Sequence, residues 1–454
     1  MSGEKKSNRW EREPELTGRI VIPGDSEYNA ARQEFNTFFN KFPLVIVFAQ
    51  NTQDVSNAVS WARYRDVPIR VRSGRHSYEG LSVVDAGIVI DVSEMNRVDI
   101  DCKRGTVTVQ TGLRDFALYE TLGDEGLMVP GGLCATTGIA GLTLGGGQSI
   151  VARSLGLTCD NLLELEMVNA NGRVLRANAD HNSDLFWASR GGGGGNFGIC
   201  TSFRFRTHRI DKVAYANISW DLRYLEPVLR TWQDYTASDA DERLTPLLTI
   251  ASGLQSILLM QGVFLGSVKR LRKLLQPLLQ VGSPQEVFIE EIPWLEAVER
   301  IAVTQPVSPE PFKSVGPFVE RLLPDEAIDI IRRFISDPPT SSVAVLFHGL
   351  GGAVAKVPSK NTAYFYRKAL SNMSIYSTWD TPDGAAAGIR WVEDFRKAML
   401  PFTRGVYVNT PDLSIEKWPE AYYGSNFKQL TQVKAKYDPE NIFKFPQSIP
   451  PANK

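Results

Sequence analysis

Glycine is concentrated in three short stretches of the first 200 residues, and this clustering constrains the fold more than any other feature of the chain. The stretches contain Gly131 and Gly132, the glycines between 138 and 147, and five consecutive glycines at 191–195. A segment so rich in glycine is a poor helix and a poor strand interior. We therefore predict loops whose backbone lies directly against a large flat or phosphorylated ligand. A flexible linker is the alternative for both 131–149 and 191–195. At 131–149 the apolar residues among the glycines favour burial over a linker.

A further loop, RVRSGRHSYEG at 70–80, follows a predicted strand and turns at Gly74. Successive backbone N–H groups in such a loop can converge on an anion, and a pyrophosphate is the ligand that we expect there. Four side chains could add positive charge or hydroxyl donors: Arg72, Ser73, Arg75 and Ser77. The alternative is a surface turn with its arginines in solvent. The stretch at 131–149 is neither a P-loop, since no Gly-Lys-Ser/Thr follows, nor the GxGxxG dinucleotide fingerprint.

The composition argues against several classes of partner. Of the 454 residues, 50 are Lys or Arg and 51 are Asp or Glu, so the formal charge is −1. This balance gives no electrostatic reason to expect a nucleic acid or an anionic membrane surface. The chain has no local metal-binding motif, because its four cysteines form no CxxC pair and its four histidines are far apart in the sequence. We therefore predict no metal site. The polar first ten residues predict no signal peptide and a cytoplasmic location.

The order of secondary-structure signals indicates two regions. Strands are predicted at 44–48, 69–71, 87–92 and 106–110, helices at 54–64 and 115–122, and a hairpin at 162–177 through Asn171-Gly172. Beyond residue 213 longer helical runs appear, as at 267–279 and 325–335. The uncharged segment between Arg243 and Lys269 is interrupted by Ser252-Gly253 and predicts a buried β-hairpin in preference to a membrane helix. The Pro-rich, aromatic C-terminus predicts an ordered tail that packs onto the rest of the chain.

The combination of motifs resembles the berberine bridge enzyme-like family of FAD-linked oxidases, within the vanillyl alcohol oxidase superfamily. The matching segments are RSGRHSYEG, the cysteine of GGLCATTGIAGLTLGGG, GGGGGNFGIC, YVN at 407–409, and YYG followed by KYDPENIF. The resemblance implies an α+β, two-domain FAD-linked oxidase fold, with an antiparallel sheet backed by helices in the substrate domain. We accordingly expect an FAD-binding domain at 1–210, a substrate-binding domain at 211–410, and a segment at 411–454 that returns to the first domain.

The same resemblance implies that FAD is attached covalently at two points. His76 matches the histidyl link to the flavin 8α-methyl carbon, and Cys134 matches a thioether link to flavin C6. A neutral imidazole and a thiolate are suitable nucleophiles for these bonds. Without the family context, His76 would be a surface or capping residue and Cys134 a core thiol. The expected cofactor-binding set also includes Arg72, Ser73, Gly74, Arg75, Ser77, Thr137, Gly138, Gly141, Gly145, Gly195, Asn196, Ile199 and Asn409. The other three cysteines are expected to be inert.

The resemblance places a catalytic tyrosine at Tyr407, within the YxN motif. A free tyrosine has a pKa of about 10, so a base role near neutral pH requires a lower pKa, which positive charge such as Arg404 could produce. Alternation along GVYVN predicts that Tyr407 and Asn409 share one face of a strand. Two further catalytic candidates are Tyr78, which matches a position that lines the site in relatives, and Tyr376; for Tyr407 and Tyr376, a core aromatic is the alternative. The family often has a second tyrosine where this chain has Thr410.

The resemblance also implies a small-molecule substrate with O2 as acceptor. In the family, a small β-branched residue three positions after the cysteine goes with oxidases, and here that residue is Thr137. We expect an alcohol or sugar oxidase that releases H2O2; the alternatives are a natural-product tailoring oxidase, a flavin dehydrogenase with another acceptor, or a non-catalytic relative. Five tryptophans between 213 and 410 could stack on sugar rings or belong to the core. A monomer or a homodimer is expected.

Overall fold

The computed structural model describes residues 13–306 and 308–453. The first ten residues, on which the prediction about a signal peptide depends, lie outside these ranges. The strands of the first half are β1 (Arg19–Val21), β2 (Val45–Phe48), β3 (Ile69–Arg72), β4 (Ile88–Asp91), β5 (Val98–Asp101), β6 (Thr106–Gln110), β7 (Leu127–Met128), β8 (Leu162–Val168), β9 (Val174–Asn178), β10 (Ile199–Arg206) and β11 (His208–Arg209). The strands of the second half are β12 (Lys212–Ser219), β13 (Leu244–Gly253), β14 (Ile257–Phe264), β15 (Glu286–Pro293), β16 (Phe312–Val315), β17 (Pro317–Val319), β18 (Ser342–Gly349), β19 (Ser371–Thr378) and β20 (Arg404–Val406).

Helices connect and cover these strands. They are α1 (Tyr28–Ala31), α2 (Thr52–Arg65), α3 (Asp115–Gly123), α4 (Ile139–Gly145), α5 (Ala152–Leu155), α6 (Ser183–Ala188), α7 (Leu225–Trp232), α8 (Val268–Leu274), α9 (Gln276–Leu279), α10 (Trp294–Ala302), α11 (Asp325–Ser336), α12 (Ala353–Lys356), α13 (Pro382–Met399), α14 (Trp418–Tyr423) and α15 (Phe427–Tyr437). Short 3₁₀ turns lie at Thr158–Asp160, Leu222–Tyr224, Gln233–Thr236 and Gly424–Asn426. Among the described residues, no helix has the length and apolar character needed to cross a membrane.

Two larger sheets, together with the antiparallel pair of β7 and β11, form the first half of the chain. A four-stranded sheet has the order β1-β2-β4-β3, in which β2 and β3 both run parallel to β4. Each residue of β2 and β4 is buried, as expected for central strands of a sheet covered on both faces. The second sheet is five-stranded and antiparallel, with the order β5-β6-β10-β8-β9. The predicted hairpin is confirmed, since β8 pairs with β9 and Gly172 has φ +71° in the turn.

Helix α2 shows how local sequence sets the elements around the first sheet. The Asn51 side chain accepts hydrogen bonds from the backbone N–H groups of Gln53 and Asp54, at 2.9 and 3.2 Å. This N-cap satisfies donors that the first turn leaves without partners. The helix then buries Val55, Val59 and other apolar residues of one face against the sheet.

A large antiparallel sheet forms the second half. Its order is β15-β12-β14-β13-β18-β19-β17-β20, and β16 pairs separately with β19. Strands β13 and β14 are the hairpin predicted for the uncharged segment. Helix α11 packs against both α7 and α13, and all three helices pack against the sheet. The other face of β18 and β19 is turned towards the glycine-rich stretches, because Leu346, His348 and Tyr376 line the same cavity as those stretches.

One prediction about the glycine-rich stretches is wrong. Residues 139–145, predicted as loop, form helix α4. Tertiary packing overrides the low helix propensity of glycine here, because Ile139 is fully buried and Leu144 is nearly so. The glycine at the C-terminal end of α4 allows a close approach, since a Cβ built on Gly145 would lie 1.9 Å from Asn409 Oδ1. The segment is therefore a short helix whose glycines admit neighbouring groups.

Buried polar contacts connect the C-terminal segment and the second half to the first half. Asn196 Oδ1 accepts a hydrogen bond from the Ile449 N–H at 2.9 Å. Lys313, on β16, forms a buried ion pair with Glu79 of the 70–80 loop and another, at 2.8 Å, with Asp412. A buried charge is tolerated when it is paired, and pairing on both sides fixes Lys313 between the two carboxylates. These contacts hold the walls of the central cavity in position.

Candidate active site

Three regions of the fold meet around one large cavity. Its walls come from the 70–80 loop, from all three glycine-rich stretches, from one face of β18 and β19, and from the segments near 407–411 and 443–447. Each residue predicted for the site lines this cavity except Gly145, which lies behind it and packs on Asn409. The structure thus brings together residues that are separated by more than 300 positions in the sequence.

The two loops with the predicted covalent attachment points touch through glycines. A Cβ built on Gly74 would lie 2.2 Å from the Gly138 backbone nitrogen, and one built on Gly138 would lie 2.5 Å from the Gly74 nitrogen. Distances below 3 Å exclude a side chain at either position unless the backbone moves. This contact places the loops of His76 and Cys134 side by side.

The imidazole of His76 is held on two sides. Its Nε2 lies 2.8 Å from Thr136 Oγ1, and its ring stacks on Phe35 with a centroid distance of 4.1 Å. Burial, assisted by the nearby Arg114 charge, lowers the pKa of His76 to about 4. The ring is therefore neutral at pH 7. Nδ1 has no hydrogen-bond partner among residues 13–306 and 308–453 and keeps a free position for reaction.

The thiol of Cys134 is partly exposed at the cavity wall. Its Sγ lies 3.5 Å from Thr136 Oγ1 and 3.6 Å from the Pro306 carbonyl oxygen. All four cysteines are free thiols. Cys159 and Cys200 are buried, and burial raises the pKa of each thiol, which opposes formation of the reactive thiolate. Cys134 therefore differs from these two in its exposure.

The backbone of the 70–80 loop presents unused donors. The N–H groups of residues 74–77 donate to no acceptor within the described part of the chain, and Arg75 has φ +65° in the left-handed region. Consecutive N–H groups in such a turn form a concave site for an anion. The hydroxyl of Ser73 donates to the Thr111 carbonyl at 2.7 Å, and Ser77 Oγ accepts from the Leu81 N–H at 2.8 Å.

The two arginines of this loop differ from the sequence-based expectation. The Arg72 guanidinium is fully buried and donates to Asp91 at 2.6 Å. Arg75 lies 3.6 Å from the same carboxylate and donates to the Ala30 carbonyl at 3.1 Å. Both charges are neutralised within the protein, so neither supplies a free cation. The sequence could not show this, because Asp91 belongs to the neighbouring strand β4.

The Tyr407 hydroxyl is surrounded by donors. Its oxygen accepts a hydrogen bond from the Gly147 N–H at 2.9 Å and another from Asn409 Nδ2 at 2.9 Å. Burial raises the pKa of Tyr407 above its ordinary value, and the two hydrogen bonds oppose that increase because they favour the phenolate. One prediction here is wrong: strand β20 ends at Val406, so Tyr407 and Asn409 do not share the face of a strand. Arg404, the candidate for a nearby positive charge, is exposed and faces Glu320 at 3.8 Å.

Tyr78 and Tyr376 form an aromatic wall with Phe312. The Tyr78 ring meets Phe312 edge to face at 5.0 Å, and Phe312 stacks on Tyr376 at 5.1 Å. Burial raises the pKa of Tyr78 to about 12. Burial and the Glu310 carboxylate raise the pKa of Tyr376, whose hydroxyl donates to Glu310 Oε1 at 2.5 Å. The Tyr376 hydroxyl is thus engaged with the protein, and this residue contributes a ring surface to the cavity.

Sequence reasoning missed two side chains, one that contacts residues of this cavity and one that lines it. Thr136 contacts both predicted attachment residues, as described above. His348, on β18, donates from Nε2 to the Ser149 carbonyl at 2.9 Å, and burial lowers its pKa to about 4. It is paired in register with Asn372, which also lines the cavity. The sequence does not indicate that His348 reaches the site, because it is a single histidine within an apolar strand. It indicates Thr136 only weakly, through a hydroxyl-bearing residue two positions after Cys134.

Family models match both ends of this architecture. Residues 43–178 match an FAD binding domain, and residues 406–450 match the berberine and berberine-like family. The chain is 44% identical to the FAD-linked oxidoreductase YvdP of Bacillus subtilis (strain 168), over 96% of this chain and 99% of that protein. The chain belongs to the berberine bridge enzyme-like family of FAD-linked oxidoreductases. It is therefore an FAD-dependent enzyme, as the motifs predicted.

Solved structures agree with this family assignment. The structure of BBE-like 1 from Physcomitrella patens is 29% identical, covers 96% of this chain and 97% of its own, and superposes with a TM-score of 0.89. A chitooligosaccharide oxidase is 27% identical, covers 96% and 98%, and has a TM-score of 0.87. The α+β, two-domain FAD-linked oxidase fold expected from the sequence is confirmed. The boundaries at 210 and 410 remain predictions.

The cavity of this berberine bridge enzyme-like chain fits FAD in two respects. The unused N–H groups of residues 74–77 are suitable partners for a pyrophosphate. Gly141 lines the cavity, and no protein atom lies within 4 Å of a Cβ built there, so that its missing side chain leaves room for a ligand. Gly195, at φ +73°, and Ile199 line the wall formed by the third glycine-rich stretch. The Asn196 side chain instead serves the C-terminal segment through its contact with Ile449.

The five tryptophans between residues 213 and 410 belong to the core. Each is less than 8% exposed, and none lines the central cavity: Trp220, Trp232, Trp294, Trp379 and Trp391. Stacking on a sugar ring from these residues is therefore excluded by their positions. Within residues 13–306 and 308–453, no group of three or more His, Cys, Asp or Glu side chains is placed to hold a metal ion.

Proposed function

We propose that this chain is an oxidase that transfers a hydride from the hydroxyl-bearing carbon of an alcohol or sugar to an FAD held covalently by His76 and Cys134. The acceptor that regenerates the cofactor is O2, and H2O2 is released. The observation that carries the proposal is the shared cavity: two free nucleophiles, an anion-binding loop and the Tyr407 hydroxyl all line it.

Double attachment is supported by the state of the two nucleophiles. His76 is neutral at pH 7 and leaves Nδ1 without a partner among the described residues. Cys134 is a free, partly exposed thiol at the same wall. Both are therefore able to form bonds to one ring system, and a ring tethered twice needs less enclosure by the protein. An open site that admits a bulky substrate becomes possible.

When bound, the flavin supplies the electron acceptor for the substrate hydride. The protein must then remove the hydroxyl proton. Tyr407 is the group proposed for this role, since the Gly147 N–H and Asn409 Nδ2 both point at its oxygen and stabilise a negative charge there. The burial that raises its pKa makes the phenolate a stronger base once it forms. Gly147 and Asn409 thus fix the position of the oxygen and offset part of the cost of its ionisation.

An alcohol or sugar substrate is supported by the cavity lining. The rings of Tyr78, Phe312 and Tyr376 supply flat apolar surface, and aromatic faces pack well on sugar rings. Ser374, on β19, adds a hydroxyl group to the cavity wall. The similarity to a chitooligosaccharide oxidase favours a carbohydrate over other alcohols. Thr137, which lines the cavity, supports O2 as the acceptor through its likeness in shape to the small residue found in oxidases of the family.

A substrate screen tests this function directly. Purified enzyme is incubated in air with panels of mono- and oligosaccharides and of primary and secondary alcohols, and H2O2 is measured with a peroxidase-coupled dye. We expect peroxide release with at least one carbohydrate. A dehydrogenase would give a different result. Its substrate would reduce the flavin under anaerobic conditions and would support reduction of an artificial dye, but no peroxide would form in air. A colourless protein after acid precipitation would contradict the covalent attachment of FAD, and the absence of peroxide with every substrate would contradict the oxidase activity.

A further inference from the structure

Thr136 connects the two proposed attachment residues through one hydroxyl. Its Oγ1 lies 2.8 Å from His76 Nε2 and 3.5 Å from Cys134 Sγ. The three side chains belong to two loops that the Gly74–Gly138 contact holds together. No other side-chain hydrogen bond reaches His76 within the described ranges of the chain.

A threonine hydroxyl has one proton to donate and two lone pairs to accept with. A neutral imidazole carries a proton on only one nitrogen. If Nε2 carries it and donates to Oγ1, Nδ1 keeps its lone pair, and the Thr136 proton is left to donate to Cys134 Sγ. The reverse arrangement, with Thr136 donating to Nε2, would place a proton on Nδ1 and leave the sulfur without this donor. Only the first arrangement gives a free lone pair on the imidazole and a donor that stabilises a thiolate.

We propose that Thr136 is a positioning residue for covalent flavin attachment: it fixes the reactive tautomer of His76 and supplies a hydrogen bond to the Cys134 thiolate. This inference rests on the proposed double attachment and deepens it. The stacking of His76 on Phe35 supports it, because this contact fixes the plane of the imidazole beside Thr136.

Both bonds balance with O2 as the oxidant. The histidyl bond joins Nδ1 to the 8α carbon. One proton leaves that carbon and a second leaves Nε2. Two electrons pass through the cofactor to O2, which is reduced to H2O2. The thioether joins Sγ to ring carbon C6; the ring C–H and the S–H each lose a proton, and a second O2 takes two electrons. The product is thus lighter by two hydrogens per bond than the sum of protein and FAD. Thr136 contacts the Nε2 and Sγ atoms that release protons.

Two variants separate the hydroxyl from the shape of the side chain. Thr136→Val keeps the branched shape and removes the hydroxyl, whereas Thr136→Ser keeps the hydroxyl. Each is made in His76→Ala and Cys134→Ala backgrounds, so that each bond is followed alone. The readouts are flavin fluorescence of the denatured band and intact-protein mass. Total FAD, bound and acid-released together, reports whether the folded cavity is retained, and Thr136→Ala provides a smaller replacement if the valine variant does not fold.

We expect Thr136→Val to reduce the fraction of FAD that is covalently bound about tenfold or more in both backgrounds. This factor corresponds to the loss of one hydrogen bond to a charged group. Thr136→Ser should retain most of it, and total FAD should change little. A covalent fraction in Thr136→Val equal to that of the parent in both backgrounds would overturn the inference, as would a serine variant as defective as valine. If the unsubstituted chain itself holds only acid-releasable FAD, the proposed double attachment fails, and with it this inference.

Discussion

Gly74 and Gly138 pack backbone against backbone, and a Cβ on Gly74 would lie 2.2 Å from the Gly138 nitrogen. The contact sets the separation of the loops that present His76 and Cys134. It also explains why glycine is required at two places that are distant in sequence. No other residue type permits two main chains to approach so closely.

The first prediction concerns this contact. Gly74→Ala should destabilise the protein by about 1–3 kcal/mol, the usual cost of inserting a methyl group where no space exists, and should reduce covalent FAD because the loops separate. Gly123→Ala is the matched control, since a Cβ there would meet nothing within 4 Å. Thermal unfolding and gel fluorescence report the two effects. A Gly74→Ala protein with the stability and covalent FAD of the control would show that the loops can separate freely.

The second prediction concerns the two attachments. His76→Ala and Cys134→Ala should each retain one bond and remain fluorescent on a denaturing gel, and the double variant should release all its flavin. Intact mass should show FAD less four hydrogens in the parent and FAD less two in each single variant. Cys102→Ala, at an exposed cysteine outside the cavity, is the control and should match the parent. A fluorescent band from the double variant would require another attachment residue.

Much of the fold could be predicted from local sequence. Strand β2 is a continuous apolar run, and α2 has both an N-cap residue and apolar residues at helical spacing. The residues of the cavity were also predictable as a group, because several motifs in a fixed order identified the family. In both cases the information lies within short segments.

The remaining features depend on contacts between distant segments. Asp91 determines that the Arg72 charge is neutralised, and it lies on another strand. The contact between His76 and Thr136 spans 60 residues, and no local pattern indicates it. Helix α4 forms despite its glycines because Ile139 and Leu144 are buried by tertiary packing. Local propensity carries no information about such partners.

The third prediction concerns proton transfer. A phenol whose pKa is raised above 10.0 is ionised in few molecules at neutral pH, so kcat/KM should increase with pH through the neutral and alkaline range. Tyr407→Phe should lower kcat/KM by about 100-fold or more and abolish this increase. Tyr376→Phe should keep the increase, because the Tyr376 hydroxyl donates to Glu310. An unchanged pH dependence in Tyr407→Phe would remove Tyr407 from the base role.

The fourth prediction concerns stability in acid. His348 has a pKa of about 4 in the folded protein and an ordinary value of 6.5, because burial opposes its charge. Between pH 6.5 and about pH 4, His348 is protonated in the unfolded chain but not in the folded protein. The free energy of unfolding therefore decreases as the pH falls through this range, and the decrease due to His348 reaches about 3 kcal/mol at about pH 4. Above 6.5 both states are neutral and the effect vanishes. The free energy of unfolding, measured in urea at pH 7.5 and pH 5, should therefore fall on acidification.

The His348→Gln variant isolates this contribution. Glutamine can still donate to the Ser149 carbonyl but does not titrate, so the variant should lose less stability than the parent between pH 7.5 and pH 5. His181→Gln, at an exposed histidine, is the control and should lose as much as the parent. Equal acid sensitivity in the parent and His348→Gln would mean that His348 accepts its proton within the folded protein at little cost. The cavity would then admit enough water to stabilise an imidazolium ion, contrary to the burial seen for this side chain.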